Sequence, residues 1–256
     1  MTVRLQSGAL AVFSPTALTD EVKQKVAELG EVKYITALDI EVCTNQNSQQ
    51  PAIGNYTCSM SVFRIESRAN PSQHHIYLGP WHQAYPKAKV LGPEGLPEKR
   101  TAQKNEQVPF AHVFTKNNPI TSVDPEFDAE FSYEYVYAHQ NKEIVFLHKP
   151  TRTLIQADFI FNYPATEQYS KTGVSPTSGI LTKIFGSLTN TKGSMQKRVI
   201  WYGISSGDRT GFSKSVKNID GWDFDRIIPC HGDVIENNGK GVFQKVMEWH
   251  LKAKTA

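Results

Sequence analysis

The sequence predicts a single-domain α/β fold. The chain opens strand–helix–strand, a block of strands recurs past its middle, and a helix of apolar period closes it. Its 256 residues are 39% hydrophobic and 21% charged, which is ordinary globular composition. That is enough chain to bury a sizeable core as one domain over residues 1–256.

Leu10 to Phe13 is an apolar run of strand length, and Ser14-Pro15 breaks it. Thr19 caps a helix to about Leu29. Asp20 and Glu21 occupy its first turn, where free N–H groups favour acids, and Val22, Val26 and Leu29 share one face. Gly30 ends it, and Val32 to Thr36 is the next strand. Pro80 to Tyr85 predicts a short helix stopped by Pro86. Lys89 to Leu91 predicts a strand, followed by a Gly92-Pro93-Glu94-Gly95 turn. Glu130 to Ala138 and Glu143 to Leu147 read as paired strands. Thr153 to Ala157 is a third, joined through the tight His148 to Arg152 connection. Tyr163 to Gly179, rich in Pro, Ser, Thr and Gly, is a long loop, and Ile180 to Leu188 is helical. Arg226 to Pro229 forms a short buried strand. Val242, Val246 and Trp249 mark a closing helix from about Gly241 to Lys252.

Val42 to Gln73 interrupts this grammar. The segment is polar, rich in Asn, Gln and Ser, and without sustained period, which is unusual inside a compact domain. It is either a surface loop or a retained intron. Val42-Cys43 can be encoded by GTATGT, a splice donor of fungal type, Ala69-Asn70 by the branch sequence GCTAAC, and Gln73 by the acceptor CAG.

Several function classes are excluded at this level. The net charge is only +3 and there is no dense Lys/Arg run, so no nucleic-acid partner is expected; Lys192, Lys197 and Arg198 read as a solvated loop. No apolar stretch approaches the roughly 20 residues that span a bilayer, so no membrane partner is expected. The N-terminus shows no targeting pattern. The three cysteines, Cys43, Cys58 and Cys230, lack C-x-x-C spacing, and a reducing cytoplasm is the expected location. There is no G-x-S-x-G elbow, and Gly203 to Gly207 lacks the P-loop lysine.

The residues that could carry chemistry lie at strand ends. Asp39 and Glu41 alternate at the end of the second strand, so both can face one side, where they would repel without a cation. Asp158 ends the apolar run Leu154 to Ala157, where an unpaired carboxylate is costly; it serves a site or shapes the Phe159 to Asn162 turn. His231 follows Ile227-Ile-Pro-Cys230 and precedes Gly232-Asp233, a place for a ligand or for a turn residue. With Val42 to Gln73 set aside, Glu41 abuts His74, and the strand end reads Thr36-Ala-Leu-Asp39-Ile-Glu41-His74.

That phrase resembles the T-H-x-H-x-D-H motif of the metallo-β-lactamase superfamily, with Ala37, Asp39 and Glu41 at the altered positions. Thr153 to Phe159 is similar to the superfamily strand that ends in a metal-bridging Asp, here Asp158. His139 stands at a spacing compatible with the superfamily's central histidine, and His231-Gly232 resembles its last ligand motif. Tyr85-Pro-Lys-Ala88, Gly92 to Lys99, Thr151 to Ile155, Ala157 to Asn162 and His231-Gly-Asp233 resemble a divergent branch of that superfamily to which no reaction is assigned. The resemblance implies an αββα sandwich of two mixed sheets flanked by helices. It implies a metal set of Asp39, Glu41, His74, His139, Asp158 and His231, with Asp158 and His231 as catalytic residues. An oxygen-rich set suits manganese or iron beside zinc. The implied function is metal-dependent hydrolysis of an ester, thioester or phosphoester in a small-molecule substrate. The alternative is a metal-free relative that binds a metabolite or protein through the same cleft, which Ala37, in place of a ligand, favours.

Overall fold

The computed structural model describes residues 1–40, 57–60, 63–66, 75–105, 107–117 and 122–254. The first half contains β1 (Thr2–Arg4), β2 (Leu10–Phe13), α1 (Asp20–Leu29), β3 (Val32–Thr36), β4 (Thr57–Met60), β5 (Phe63–Glu66), α2 (Leu78–Ala84), β6 (Lys89–Pro93), α3 (Leu96–Ala102), β7 (Phe110–Phe114) and α4 (Pro125–Glu130). The second contains β8 (Phe131–Val136), β9 (Glu143–His148), β10 (Thr153–Ile155), α5 (Thr166–Tyr169), α6 (Ile180–Leu188), α7 (Met195–Val199), a π-helical turn at Ile200–Ile204, α8 (Arg209–Asp220), β11 (Arg226–Ile228), α9 (Gly239–Val246) and α10 (Glu248–Lys252).

Two mixed sheets result. One has the order β1-β2-β3-β6-β7, with β2, β3, β6 and β7 parallel and β1 antiparallel at its edge. The other has the order β11-β10-β9-β8, antiparallel except for the parallel pair β10–β11. The strands β2 and β9 alternate between two buried faces rather than between core and water. In β2, Ala11 and Phe13 enter the layer between the sheets, while Leu10 and Val12 meet α1 and α2. In β9, Ile144 and Phe146 point between the sheets, and Val145 and Leu147 point toward Phe212, Val216 and Phe243 of α8 and α9. Helices thus cover both outer faces, giving the expected αββα sandwich.

The helix α1 is built as the sequence predicts: the Thr19 hydroxyl accepts from the Val22 N–H, and Gly30, at φ 150°, closes it. Other elements were not foreseen. Gly92 and Pro93 belong to β6 rather than to a turn: they pair with Val113 and Phe114 of β7, and a side chain at Gly92 would strike the Phe110 ring. Gly95, at φ 89°, starts α3. The strand expected from Glu130 begins at Phe131, because Asp124 accepts from the Glu126 and Phe127 N–H groups and holds Pro125–Glu130 as α4. The closing helix divides at Met247. Within the segment Val42 to Gln73, β4 and β5 pair as an antiparallel hairpin, and the rest lies outside the described residues. Among the described residues no helix is long and apolar enough to cross a membrane.

Candidate active site

Of the predicted site residues, Asp39, His139, Asp158 and His231 lie at one end of the sandwich, where the two sheets are stitched together. The Ile40 N–H donates to Asn141 O at 2.9 Å, and the Ile144 N–H donates to Leu38 O at 2.7 Å. These bonds join the chain leaving β3 to the turn between β8 and β9, so Asp39 of one sheet and His139 of the other reach the same interior. Asp39, His139 and Asp158 are all buried. Glu41 and His74 lie outside the described residues.

Asp158 sits just past β10, on a loop whose backbone is satisfied by other side chains. Gln156 Oε1 accepts from the Phe159 and Ile160 N–H groups at 2.8 and 3.2 Å, and Gln196 Oε1 accepts from the Phe161 N–H at 2.9 Å. The turn is therefore shaped by two glutamines, which leaves the Asp158 carboxylate to face the interior. Its Oδ2 accepts from the Asn141 side-chain amide at 2.8 Å. Its Oδ1 is buried without a hydrogen-bond partner and lies 3.4 Å from His231 Nε2.

Sequence reasoning missed Glu143, the first residue of β9, which is fully buried beside this group. Its two oxygens accept from the Ala157 N–H at 2.7 Å and the Asp158 N–H at 2.9 Å, so it fixes the backbone that presents Asp158. Burial, and then the nearby Asp158 and Asp39 carboxylates, push its carboxyl well above the usual range. The available signal was an acid opening the apolar run Ile144 to Leu147, a position that needs partners if it faces inward.

His139 is held in the turn by its own N–H to Val136 O and by Lys142 N–H to its carbonyl. Its ring stacks near Phe212 at 6.1 Å, and burial lowers its pKa, with Asp158 and Asp39 pulling it partly back. Nδ1 accepts from the Asn141 N–H at 3.0 Å, which places the proton of the neutral ring on Nε2. Nε2 lies 3.7 Å from Glu143 Oε2 and has no hydrogen-bond partner. A metal-binding imidazole has the opposite polarity, donating from its far nitrogen. In this tautomer His139 turns its Nε2–H toward the Glu143 carboxyl without reaching hydrogen-bond distance.

His231 follows β11 at the rim, with its side chain 23% exposed and its ring stacked on Phe161 at 6.1 Å. A backbone bridge holds its loop: the Asn162 N–H donates to His231 O and the Asp233 N–H to Asn162 O. Gly232, at φ 105°, is required there, because a Cβ would lie 2.3 Å from Asn162 O. A cleft of about 310 Å³ opens beside His231, with Phe13, Leu38 and Ile155 as apolar wall and Gln156, Gln168 and Cys230 as polar lining.

The geometry thus gathers Asp39, His139, Glu143 and Asp158 inside and His231 at the mouth. Among the described residues, no three His, Cys, Asp or Glu groups stand at metal-ligand spacing. Asp158 Oδ1 and the His231 imidazole fit a cation; His139 fits one only with its ring reversed.

No protein-family model matches the chain, and no curated protein matches its sequence. Solved structures do match. The DIM-1 metallo-beta-lactamase superposes with TM-score 0.50 at 11% identity, over 99% of this chain and 86% of that one. Rubredoxin oxygen:oxidoreductase from Desulfovibrio gigas gives 0.55 at 12%, over 99% and 53%. The flavodiiron protein from Giardia intestinalis gives 0.52 at 9%, over 97% and 50%, so the chain spans about half the length of these last two. At such identities the likeness reaches the architecture: the chain has the metallo-β-lactamase fold.

Proposed function

We propose that the chain is a metal-dependent hydrolase acting on an ester, thioester or phosphoester of a small molecule, with Asp158 and His231 as its working residues. The carrying observation is the buried Asp158 Oδ1, which has no hydrogen bond and faces His231 at the mouth of a substrate-sized cleft. A buried carboxylate oxygen in that state calls for a cation or a proton. Asp158 and His231 would hold the ion, with Asp39 beside them and Glu41 and His74 completing the set. Zinc, manganese and iron are the ions suited to such donors. When bound, the ion brings water toward neutral pKa and polarises the scissile bond. Asn141 keeps Asp158 oriented, and His231 lines the cleft in which the substrate would lie. Membership in the divergent superfamily branch and a cytoplasmic location belong to the same proposal, on the sequence phrases and on the lack of C-x-x-C spacing among Cys43, Cys58 and Cys230.

A second reading, a fold reused for binding without metal, is favoured by Ala37 and by the His139 tautomer, which makes that ring a proton donor. Elemental analysis of protein purified without a His tag separates the two. The hydrolase reading expects near-stoichiometric metal, lost in His231→Ala and Asp158→Ala variants that still fold. A folded chain that takes up neither zinc, manganese nor ferrous iron on titration would leave the binding reading.

A further inference from the structure

The helix α6 has an apolar arc of Ile180, Ile184, Leu188, Leu181 and Phe185, with Thr182, Lys183, Gly186 and Ser187 on the remaining face. The fold uses only one edge of that arc. Phe185 packs edge-on against Tyr163 at 5.2 Å and Phe161 at 6.5 Å, which sets the helix rotation. The other edge faces outward: Ile180 is 78% exposed, Leu181 64% and Ile184 48%. Tyr169 and Val174 just before the helix, and Met195 just after it, are exposed too. So many large apolar side chains in one segment exceed the scattered exposure normal for a folded surface.

Charge decides what covers it. Between Thr166 and Arg198 the exposed charges are Lys171, Lys183, Lys192 and Arg198 against a single acid, Glu167, while Lys197 is paired with Glu248. A second copy docked face to face would bring the same lysines against one another. An apolar edge with a basic flank instead matches an interface whose interior is hydrocarbon and whose surface is anionic.

We propose that α6 and its flanking residues adsorb to an anionic lipid surface, with Ile180, Leu181 and Ile184 entering the acyl boundary and Lys171, Lys183 and Lys192 meeting headgroups. Adsorption needs no spanning helix. It therefore departs from the expectation of no membrane partner, which rested on spanning length alone. It also stands apart from the metal reading, since none of these side chains belongs to the Asp158 and His231 cluster.

The test is co-sedimentation of the full chain with phosphatidylcholine vesicles, with and without phosphatidylserine. The expected result is binding to the phosphatidylserine vesicles that weakens with salt. Leu181→Asp should lower the partition coefficient by at least about tenfold, and Lys183→Gln by about fivefold. Both side chains are exposed, so circular dichroism should show the variants folded as the parent. Absence of binding, or equal binding by parent and Leu181→Asp, would overturn the proposal. So would a concentration-dependent dimer abolished by Leu181→Asp, which would assign the face to a second copy.

Discussion

Glu143 shows how one residue sets the position of another. Its carboxyl takes the N–H groups of Ala157 and Asp158, two donors buried where no water reaches them. Glu143→Ala would strand both and should cost about 2–4 kcal/mol of stability in urea unfolding, as two unsatisfied buried donors do. An unchanged unfolding midpoint would show that the loop satisfies these groups otherwise. His250 supplies a pH signature away from the site. It is buried between the Ser213 and Ser205 hydroxyls, 2.8 Å from Nδ1 and 3.2 Å from Nε2. Burial first, and Arg209 second, bring its pKa from 6.5 down to about 4. A depressed folded value means the unfolded chain binds the proton first. The stabilising contribution is therefore whole above pH 6.5 and is lost as pH falls toward 4. His250→Gln should flatten that acid limb, by on the order of 2 kcal/mol after solvent screening. Unfolding free energies at pH 7 and pH 4.5, compared between parent and variant, test this. Asp158 and His231 were legible because each follows an apolar strand and matches a phrase. Glu143 was not, because an acid at the start of a strand usually faces water, and only the tertiary contact shows that it turns inward.

Among elements, α8 is the clearest case of a helix hidden by its own composition. Phe212, Val216 and Ile219 fall at helical spacing, yet Gly211, Ser213 and Ser215 dilute the pattern. Packing demands the small residues: a Cβ at Gly211 would lie 2.3 Å from the Tyr137 hydroxyl, and Ser213 binds His250. Tertiary context thus overrides propensity, and sequence period alone did not reveal it. The strands β2 and β9, by contrast, were legible because their apolar runs, Leu10 to Phe13 and Ile144 to Leu147, are continuous. The ring of Phe212 lies between Phe159 at 5.4 Å, His139 at 6.1 Å and His250 at 4.7 Å, so this helix supports the interior wall of the site. Phe212→Ala should cost about 3–5 kcal/mol through the cavity it leaves. A loss under about 1 kcal/mol in denaturant unfolding would mean the rings collapse into the gap.

At the scale of the molecule, among the described residues neither main sheet draws a strand from the polar segment Val42 to Gln73, and β4 pairs with β5. Its flanks are held by neighbouring residues of one helix. Lys99 Nζ donates to Ile40 O at 2.5 Å, and Arg100 Nη1 donates to His75 O at 2.6 Å. Consecutive side chains of α3 therefore clamp the chain on both sides of the segment, which keeps its ends close whatever lies between them. Closing a loop costs little more when it is long than when it is short, so the fold should tolerate either length. We propose that the segment is dispensable for folding and that its removal rejoins Glu41 to His74 at the end of β3. A chain lacking Val42 to Gln73 should unfold within about 1–2 kcal/mol of the parent, since every described strand of the two main sheets remains. The site gives a second readout. If the segment separates two ligands, the shortened chain should bind metal at least as tightly as the full one, and a transcript read across the junction should lack those codons. A shortened chain that fails to fold would instead make the segment part of the architecture, with the clamp of Lys99 and Arg100 built to carry it.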